Sequence, residues 1–277
     1  MAAPDSGALH LENKAISGSV ITETYDGTGS SALTNYPVAN ILDPIRSKRW
    51  RTAWSDSAST ARIVVDLGAA TAIDTIALID CNVAAAKKFK VFAADDTAAN
   101  DVSEVLTLWD ASKIGNVHLF YLGSGMTGAN YRYWAIEFNQ SWGADYQLGT
   151  STLEIGTLWL GAHTAIAPSI EAGVRFTDPS VRSQSYGGTT YVDTFDQFRE
   201  LAFRVGALTH SESAELQESV IAAKATTVLV DLVANQSSKS SRNTGLMYGK
   251  LSGSGISSTQ LNTNNNTVNL SMIEERR

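Results

Sequence analysis

Tyr36-Pro-Val-Ala-Asn-Ile-Leu-Asp-Pro-Ile-Arg-Ser-Lys-Arg-Trp50 and Tyr131-Arg-Tyr-Trp-Ala-Ile-Glu-Phe138 decide the fold. In the second stretch Trp134, Ile136 and Phe138 fall on one side of an extended chain, with Tyr133, Ala135 and Glu137 on the other. That is the period-two pattern of a strand with one face in a core. The first stretch, with its two prolines and a basic run closing on a tryptophan, matches in kind the opening strand of the same small β-sandwich. Between them lie short β-branched runs, Ile63-Val-Val-Asp-Leu67 and Ile73-Asp-Thr-Ile-Ala-Leu-Ile-Asp80, with a turn expected at Gly68-Ala-Ala, and the alternating Lys88-Phe-Lys-Val-Phe92. Leu153-Glu-Ile-Gly-Thr-Leu-Trp-Leu160 reads as the last strand, with a bulge at its glycine. Many short strands joined by polar loops predict a β-sandwich or jelly roll over 30–161.

Beyond that sandwich a second module remains. The chain has 277 residues, 43% of them hydrophobic and 18% charged, which suits two globular domains. After an N-terminal segment (1–29) and the sandwich, the small-residue stretch 162–169 reads as a linker and 170–277 as another β domain. That domain holds a hairpin-like turn at Ser183-Gln-Ser-Tyr-Gly-Gly188 and a strand in Phe195–Arg204. One packed helix is expected at about 209–224, because Thr209-His-Ser-Glu212 has capping-box spacing and Leu216, Val220 and Ile221 follow on one face. Thr227–Val233 is a buried-type strand. Val268-Asn-Leu-Ser-Met-Ile-Glu-Glu275 alternates like an edge strand, and Val268, Leu270 and Met272 are its expected oligomer-pairing face. The fold class is therefore mainly β: a jelly-roll sandwich followed by a second β-sandwich or split barrel with one helix.

Charge and cysteine usage exclude several classes. The net charge is −7, with 11 basic and 17 acidic side chains in residues 1–164 against 10 and 11 in the remainder, so bulk attraction of nucleic acid is not expected. Cys81 is the single cysteine, ruling out an internal disulfide framework or a cysteine-based metal site. No apolar run reaches membrane-spanning length and no secretory leader opens the chain. The expectation is a soluble protein made in a cytoplasm.

The order Pro37-Val-Ala-Asn-Ile-Leu-Asp43, tryptophans at 50 and 54, Ala61-Arg-Ile-Val-Val-Asp-Leu-Gly68, an Ile-rich strand, Phe89–Asp96, Tyr131-Arg-Tyr-Trp134 and a closing Leu-Glu-Ile strand resembles the discoidin or galactose-binding-like family. The resemblance implies an eight-stranded jelly roll that presents loops at one end to sugars, lipid headgroups or proteins. Arg49, Arg51, Trp54, Trp142 and Tyr146 are the rim candidates by residue type. Trp50 and Trp134 read as core. Asp43 sits where some members place a calcium-binding aspartate, although Pro44 follows it where a glycine is usual; otherwise no cofactor is expected.

The second module, with its Gly-Gly turn, arginine-bearing strand, helix after Leu-Thr, apolar strand and terminal strand ending in Glu-Glu, resembles the ring-forming domain of tailed-bacteriophage tail-tip proteins. This implies self-association into a ring, a hexamer by that resemblance, with tail-tube and baseplate-hub proteins as partners. It also implies location in the virion, and host surface polysaccharide as a contact of the jelly roll. The alternatives are a stand-alone lectin-like carbohydrate-binding protein and an accessory protein of glycan degradation. An enzyme is not expected. His10, His118, His163 and His210 lack ligand spacing, no nucleophile elbow is present, and Asp95-Asp96 reads as a solvated turn.

Overall fold

The computed structural model describes residues 7–17, 19–26, 31–45, 47–55, 59–84, 87–95, 106–107, 113–114, 117–122, 130–166, 172–186, 188, 190–194, 197–223, 227–232, 246–252, 257–260 and 265–275. The expected features at Arg46, Asp96, 167–171 and Lys224 lie outside this set. The fold is mainly β, with one α-helix among the described residues.

Strands are numbered in chain order. The jelly roll has one five-stranded sheet in the order β2 (Ser19–Asp26), β5 (Thr60–Ala72), β11 (Asn130–Asn139), β7 (Lys90–Ala94), β8 (Leu106–Thr107). Facing it are a four-stranded sheet, β13 (Thr157–Gly161), β6 (Thr75–Ile79), β10 (Val117–Tyr121), β9 (Lys113–Ile114), and a three-stranded one, β12 (Thr152–Ile155), β4 (Trp50–Ala53), β3 (Ser31–Ala32). Ile63, Val65, Trp134, Ile136 and Phe138 from the first sheet meet Trp50, Ile76, Leu78, Phe120, Leu153 and Leu158 from the others in one core. Trp50 and Trp134 are buried as expected.

Two glycines behave differently from the sequence reading. The expected turn at Gly68 is not a turn: β5 runs on to Ala72, and Gly68 takes φ +80° next to the register shift between β5 and β11. A left-handed glycine inside a strand is the backbone of a bulge. Gly156, expected to be a bulge, is instead the corner where the chain leaves β12 in one sheet for β13 in another, its N–H donating to Ile79 O at 3.0 Å.

The second module is an eight-stranded sheet ordered β14 (Thr164–Ile166), β1 (Gly7–His10), β19 (Thr227–Asp231), β20 (Leu246–Leu251), β22 (Asn266–Glu274), β18 (Phe198–Leu208), β15 (Gly173–Thr177), with β21 (Ser257–Gln260) also on β22. The helix α1 (His210–Ala223) packs on one face, burying Leu216, Val220 and Ala223 against Phe203, Val205, Val268 and Leu270. Its start is a reciprocal capping box: Thr209 N–H donates to Glu212 Oε2 at 2.8 Å and Glu212 N–H to Thr209 Oγ1 at 3.3 Å. Ile221, expected on the packed face, is exposed.

Strand pairing corrects three expectations. The segment 1–29 is not separate: β1 completes the second module's sheet, and β2 pairs with β5 inside the jelly roll. The 162–169 stretch carries β14, which pairs with β1. The jelly roll is thus inserted between two neighbouring antiparallel strands of the other module. Third, β22 is interior, hydrogen-bonded to β18 on one side and to β20 and β21 on the other. Val268, Leu270 and Met272 are buried in the subunit's own core and do not present a pairing face. An alternating strand with a polar second face reads the same whether it lies at an edge or beneath a helix, which is why the sequence misplaces it.

The modules share a buried, largely apolar seam. Residues of β6 alternate between the jelly-roll core, with Ile76 and Leu78, and the seam, with Ala77 and Ile79. There Leu119, Tyr121 and Trp159 meet Ala8, Leu229, Leu246 and Tyr248. Strands covered on both faces are continuous apolar runs, and Ile76-Ala-Leu-Ile79 is one. The layers are therefore sheet, sheet, sheet and helix.

Candidate functional site

The five rim candidates separate. Trp54 is 4% exposed and belongs to the jelly-roll core, so it cannot meet a ligand. Arg49 and Arg51 converge on Glu154 at the flank of the β12–β4 sheet. Arg49 Nη1 donates to Glu154 Oε2 at 3.1 Å, and its Nη2 lies 3.9 Å from Oδ2 of buried Asp80. Arg51 Nε lies 3.1 Å from Glu154 Oε1, off the line of a good hydrogen bond, and its guanidinium covers the Tyr36 ring at 4.5 Å. Glu154 is on the strand directly opposite Arg51. Both arginines thus have an internal carboxylate partner, and they hold the sheet flank.

Asp43 is likewise occupied. Its Oδ2 accepts from Lys48 Nζ at 2.6 Å and its Oδ1 from Ile45 N–H at 2.8 Å. Burial works to raise its pKa, but the Lys48 and Ile45 hydrogen bonds outweigh burial and hold it below the ordinary carboxylate range. A calcium site needs six or more oxygen ligands, and among the described residues no cluster of three metal-ligating side chains occurs.

Trp142 and Tyr146 do come together. At the end of β11, Asn139 caps a short 3-10 turn, Gln140–Trp142, its Oδ1 accepting from Ser141 N–H at 3.0 Å. Gly143, at φ +130°, joins that turn to a second, Ala144–Tyr146. Side chains rarely adopt this backbone, so glycine is what lets two turns follow each other so tightly. The result is an edge-to-face pair: ring centroids 5.3 Å apart, planes at 80°. Both rings are half-buried. Lys90, at the start of β7, sets its ammonium 4.4 Å from the Trp142 ring centroid, and Lys87 Nζ donates to Ala144 O at 3.2 Å. Gln140 N–H donates to Ser59 O and Trp54 N–H to Ser151 O, so this loop and the β4–β5 turn form one end of the sandwich. The lysines were missed because Lys88-Phe-Lys-Val-Phe92 reads only as a strand; nothing local says its second lysine, Lys90, faces a tryptophan about fifty residues on.

A second constellation was invisible in the sequence. His10 is fully buried at the seam, its ring centroid 5.8 Å from that of Tyr121 and 5.9 Å from that of His163. Neither ring nitrogen has a hydrogen-bond partner, nor does Trp159 Nε1, whose indole packs edge-on 6.4 Å away. Burial, reinforced by His163 and partly offset by Asp74, lowers the His10 pKa to about 3. His163 Nδ1 lies 3.0 Å from Asp74 Oδ1, which also accepts from Thr75 Oγ1 at 2.8 Å. Tyr121 donates to buried Asp231 at 3.1 Å. Near this crossing a cavity of about 610 Å³ lies between Leu11–Lys14, Ala162–Thr164 and the end of α1. Its lining offers one ion pair, Glu12–Lys14, and otherwise mostly small side chains.

No family model and no curated protein matches the chain. Among solved structures it is similar to chitosan-binding module 1 of a chitosanase/glucanase from Paenibacillus sp. IK-5, at 16% identity over 55% of this chain and 99% of that one, TM-score 0.39. It is similar to the lectin binding domain of Lectinolysin, solved with Lewis b, at 17% identity over 54% and 95%, TM-score 0.38. It is also similar to CBM32-3 from a family 31 glycoside hydrolase of Clostridium perfringens, at 12% identity over 54% and 93%, TM-score 0.39. These domains are carbohydrate-binding and lectin domains by name, and likenesses at such scores assign neither ligand nor role to this chain.

Proposed function

We propose that this is a non-catalytic carbohydrate-binding protein whose jelly roll contacts glycan through the Trp142–Tyr146 loop, with the eight-stranded module as its carrier. The observation that supports the reading is the half-buried aromatic pair held by two successive 3-10 turns, the first capped by Asn139, at one end of the sandwich. Such a pair gives a sugar ring apolar surface beside polar groups, at little cost in side-chain entropy. Glycan-array binding by the whole protein, followed by titration of the best glycan, is the test. Trp142→Ala should weaken binding about tenfold or more while the protein still unfolds cooperatively, with the melting temperature lowered by no more than a few degrees. Binding that survives both Trp142→Ala and Tyr146→Ala would remove the loop from the site.

A second reading, a ring-forming protein of a bacteriophage tail tip, is favoured by a different observation. The hairpin of β16 (Val181–Gln184) and β17 (Thr190–Asp193) leaves Val181, Tyr186, Tyr191 and Val192 exposed, and neighbouring Phe176 on β15 is 67% exposed. Among the described residues β14 and β15 are the two ends of the sheet path, each with one unpaired edge. A heterologous contact through such edges must close into a ring or grow into a filament. In that setting the jelly roll projects from the virion toward tail proteins or host polysaccharide. Light scattering with negative-stain imaging tests it; a protein that stays monomeric at high concentration and beside tail-tube protein sinks it.

A further inference from the structure

One face of the Trp142 ring carries a cation. Lys90 Nζ lies 4.4 Å from the ring centroid. A neutral pyranose stacks on indole through its C–H groups, so on this face it must displace the ammonium and forfeit a cation–π contact worth roughly 0.5–2 kcal/mol. A saccharide bearing carboxylate or sulfate need not: the ammonium stays over the ring and gains a charge-assisted hydrogen bond. Lys87 brings a second ammonium to the same loop through Ala144 O, and Lys88 makes three lysines within four residues. This concentration stands in a half of the chain where acids outnumber bases 17 to 11. The carboxylate opposite Lys90 in the strand register is Glu137, which lies 3.5 Å from Arg62 Nη1 and accepts from Asn139 Nδ2 at 3.3 Å. The loop's own acid is Asp145.

We propose, resting on the glycan-binding reading above, that the Trp142–Tyr146 loop selects anionic saccharides over neutral ones, with Lys90 and Lys87 as the residues that set the preference. The experiment uses the full chain and three probes by calorimetry at low and moderate salt: an oligomannuronate, its methyl ester, and a sulfated galactan fragment. The uronate should bind about tenfold tighter than its ester, with affinity falling as salt rises. Lys87→Gln with Lys90→Gln should erase the difference between uronate and ester while lowering the melting temperature by no more than a few degrees. The sulfated probe separates the source of charge: binding comparable to the uronate means charge is read, weaker binding means the planar carboxylate is read, and both support the proposal. Equal affinity for uronate and ester, with both lost in Trp142→Ala, overturns the anionic preference and leaves the glycan reading standing. Uronate binding untouched by Trp142→Ala marks diffuse polyanion attraction and overturns the proposal. No binding by any of the three, together with no neutral hit on the array, overturns both.

Discussion

Lowering the pH from 7 to 5 should weaken the fold through His10. In the unfolded chain its imidazole titrates near 6.5, whereas burial at the seam lowers its pKa to about 3. Between those values the unfolded state takes up a proton that the folded state refuses, so stability is full above pH 6.5 and falls as the pH drops toward 3. The roughly 1.5 units between 6.5 and pH 5 convert, at about 1.4 kcal/mol per unit, to about 2 kcal/mol. Asp74 titrates outside this window: burial works to raise its pKa, but the His163 and Thr75 hydrogen bonds prevail and hold it below the ordinary 3.8, so its contribution is lost only at lower pH. Urea unfolding at pH 7 and pH 5, for the protein and for His10→Phe, is the assay. Phe preserves a ring beside Tyr121 and Trp159 and has no proton to take. The pH-dependent loss should be about 2 kcal/mol smaller in the variant. Equal losses in the two proteins would show that His10 is either hydrated or charged in the fold, and would refute its burial as a neutral ring.

Three further outcomes are expected. Gly249→Ala should destabilise on the order of 3 kcal/mol or prevent folding, since a Cβ there would lie 2.0 Å from Ile273 O and 2.8 Å from its carbonyl carbon, both backbone atoms; chemical denaturation reads it. Deleting 266–277 removes an interior strand, so circular dichroism and dye binding should report a collapsed second module, not a folded protein that merely fails to assemble. Glu212→Ala should lower the melting temperature, by taking away the carboxylate that accepts from both Thr209 N–H and Thr209 Oγ1.

Local chemistry was legible, and long-range placement was not. The capping box at Thr209, the turn between β16 and β17 and the core roles of Trp50 and Trp134 each depend on a few adjacent residues, and each is found where the pattern puts it. Trp54 has the residue type of an exposed platform, yet it is core like Trp50; only the sheet that covers it decides this. Arg49 and Arg51 have the residue type of a sugar-binding rim, but Glu154, about a hundred residues later, claims them. His10 and His163 lie far apart in sequence and meet because β1 and β14 pair. The boundary expected near residue 30 failed for the same reason: a four-residue strand at the start of the chain gives no sign of which sheet it will join.

The pairing of β1 with β14 places Leu9 opposite Thr164, so everything from Leu11 to Ala162 hangs from what would otherwise be a hairpin turn. An insertion whose two ends are already side by side adds little closure entropy to the host sheet, and the host can accept or lose such a graft without a change of topology. The attachment also has a mechanical side. Tension applied to the jelly roll runs along β1 and β14 together, so the hydrogen bonds between β1 and β19 are sheared in parallel and do not peel one at a time. Joining Leu11 to Ala162 by a short turn would leave a host sheet with its strand order intact but with Leu229, Leu246 and Tyr248 facing water. A stripped-down host therefore needs polar residues at those three positions, and the graft serves as their cover.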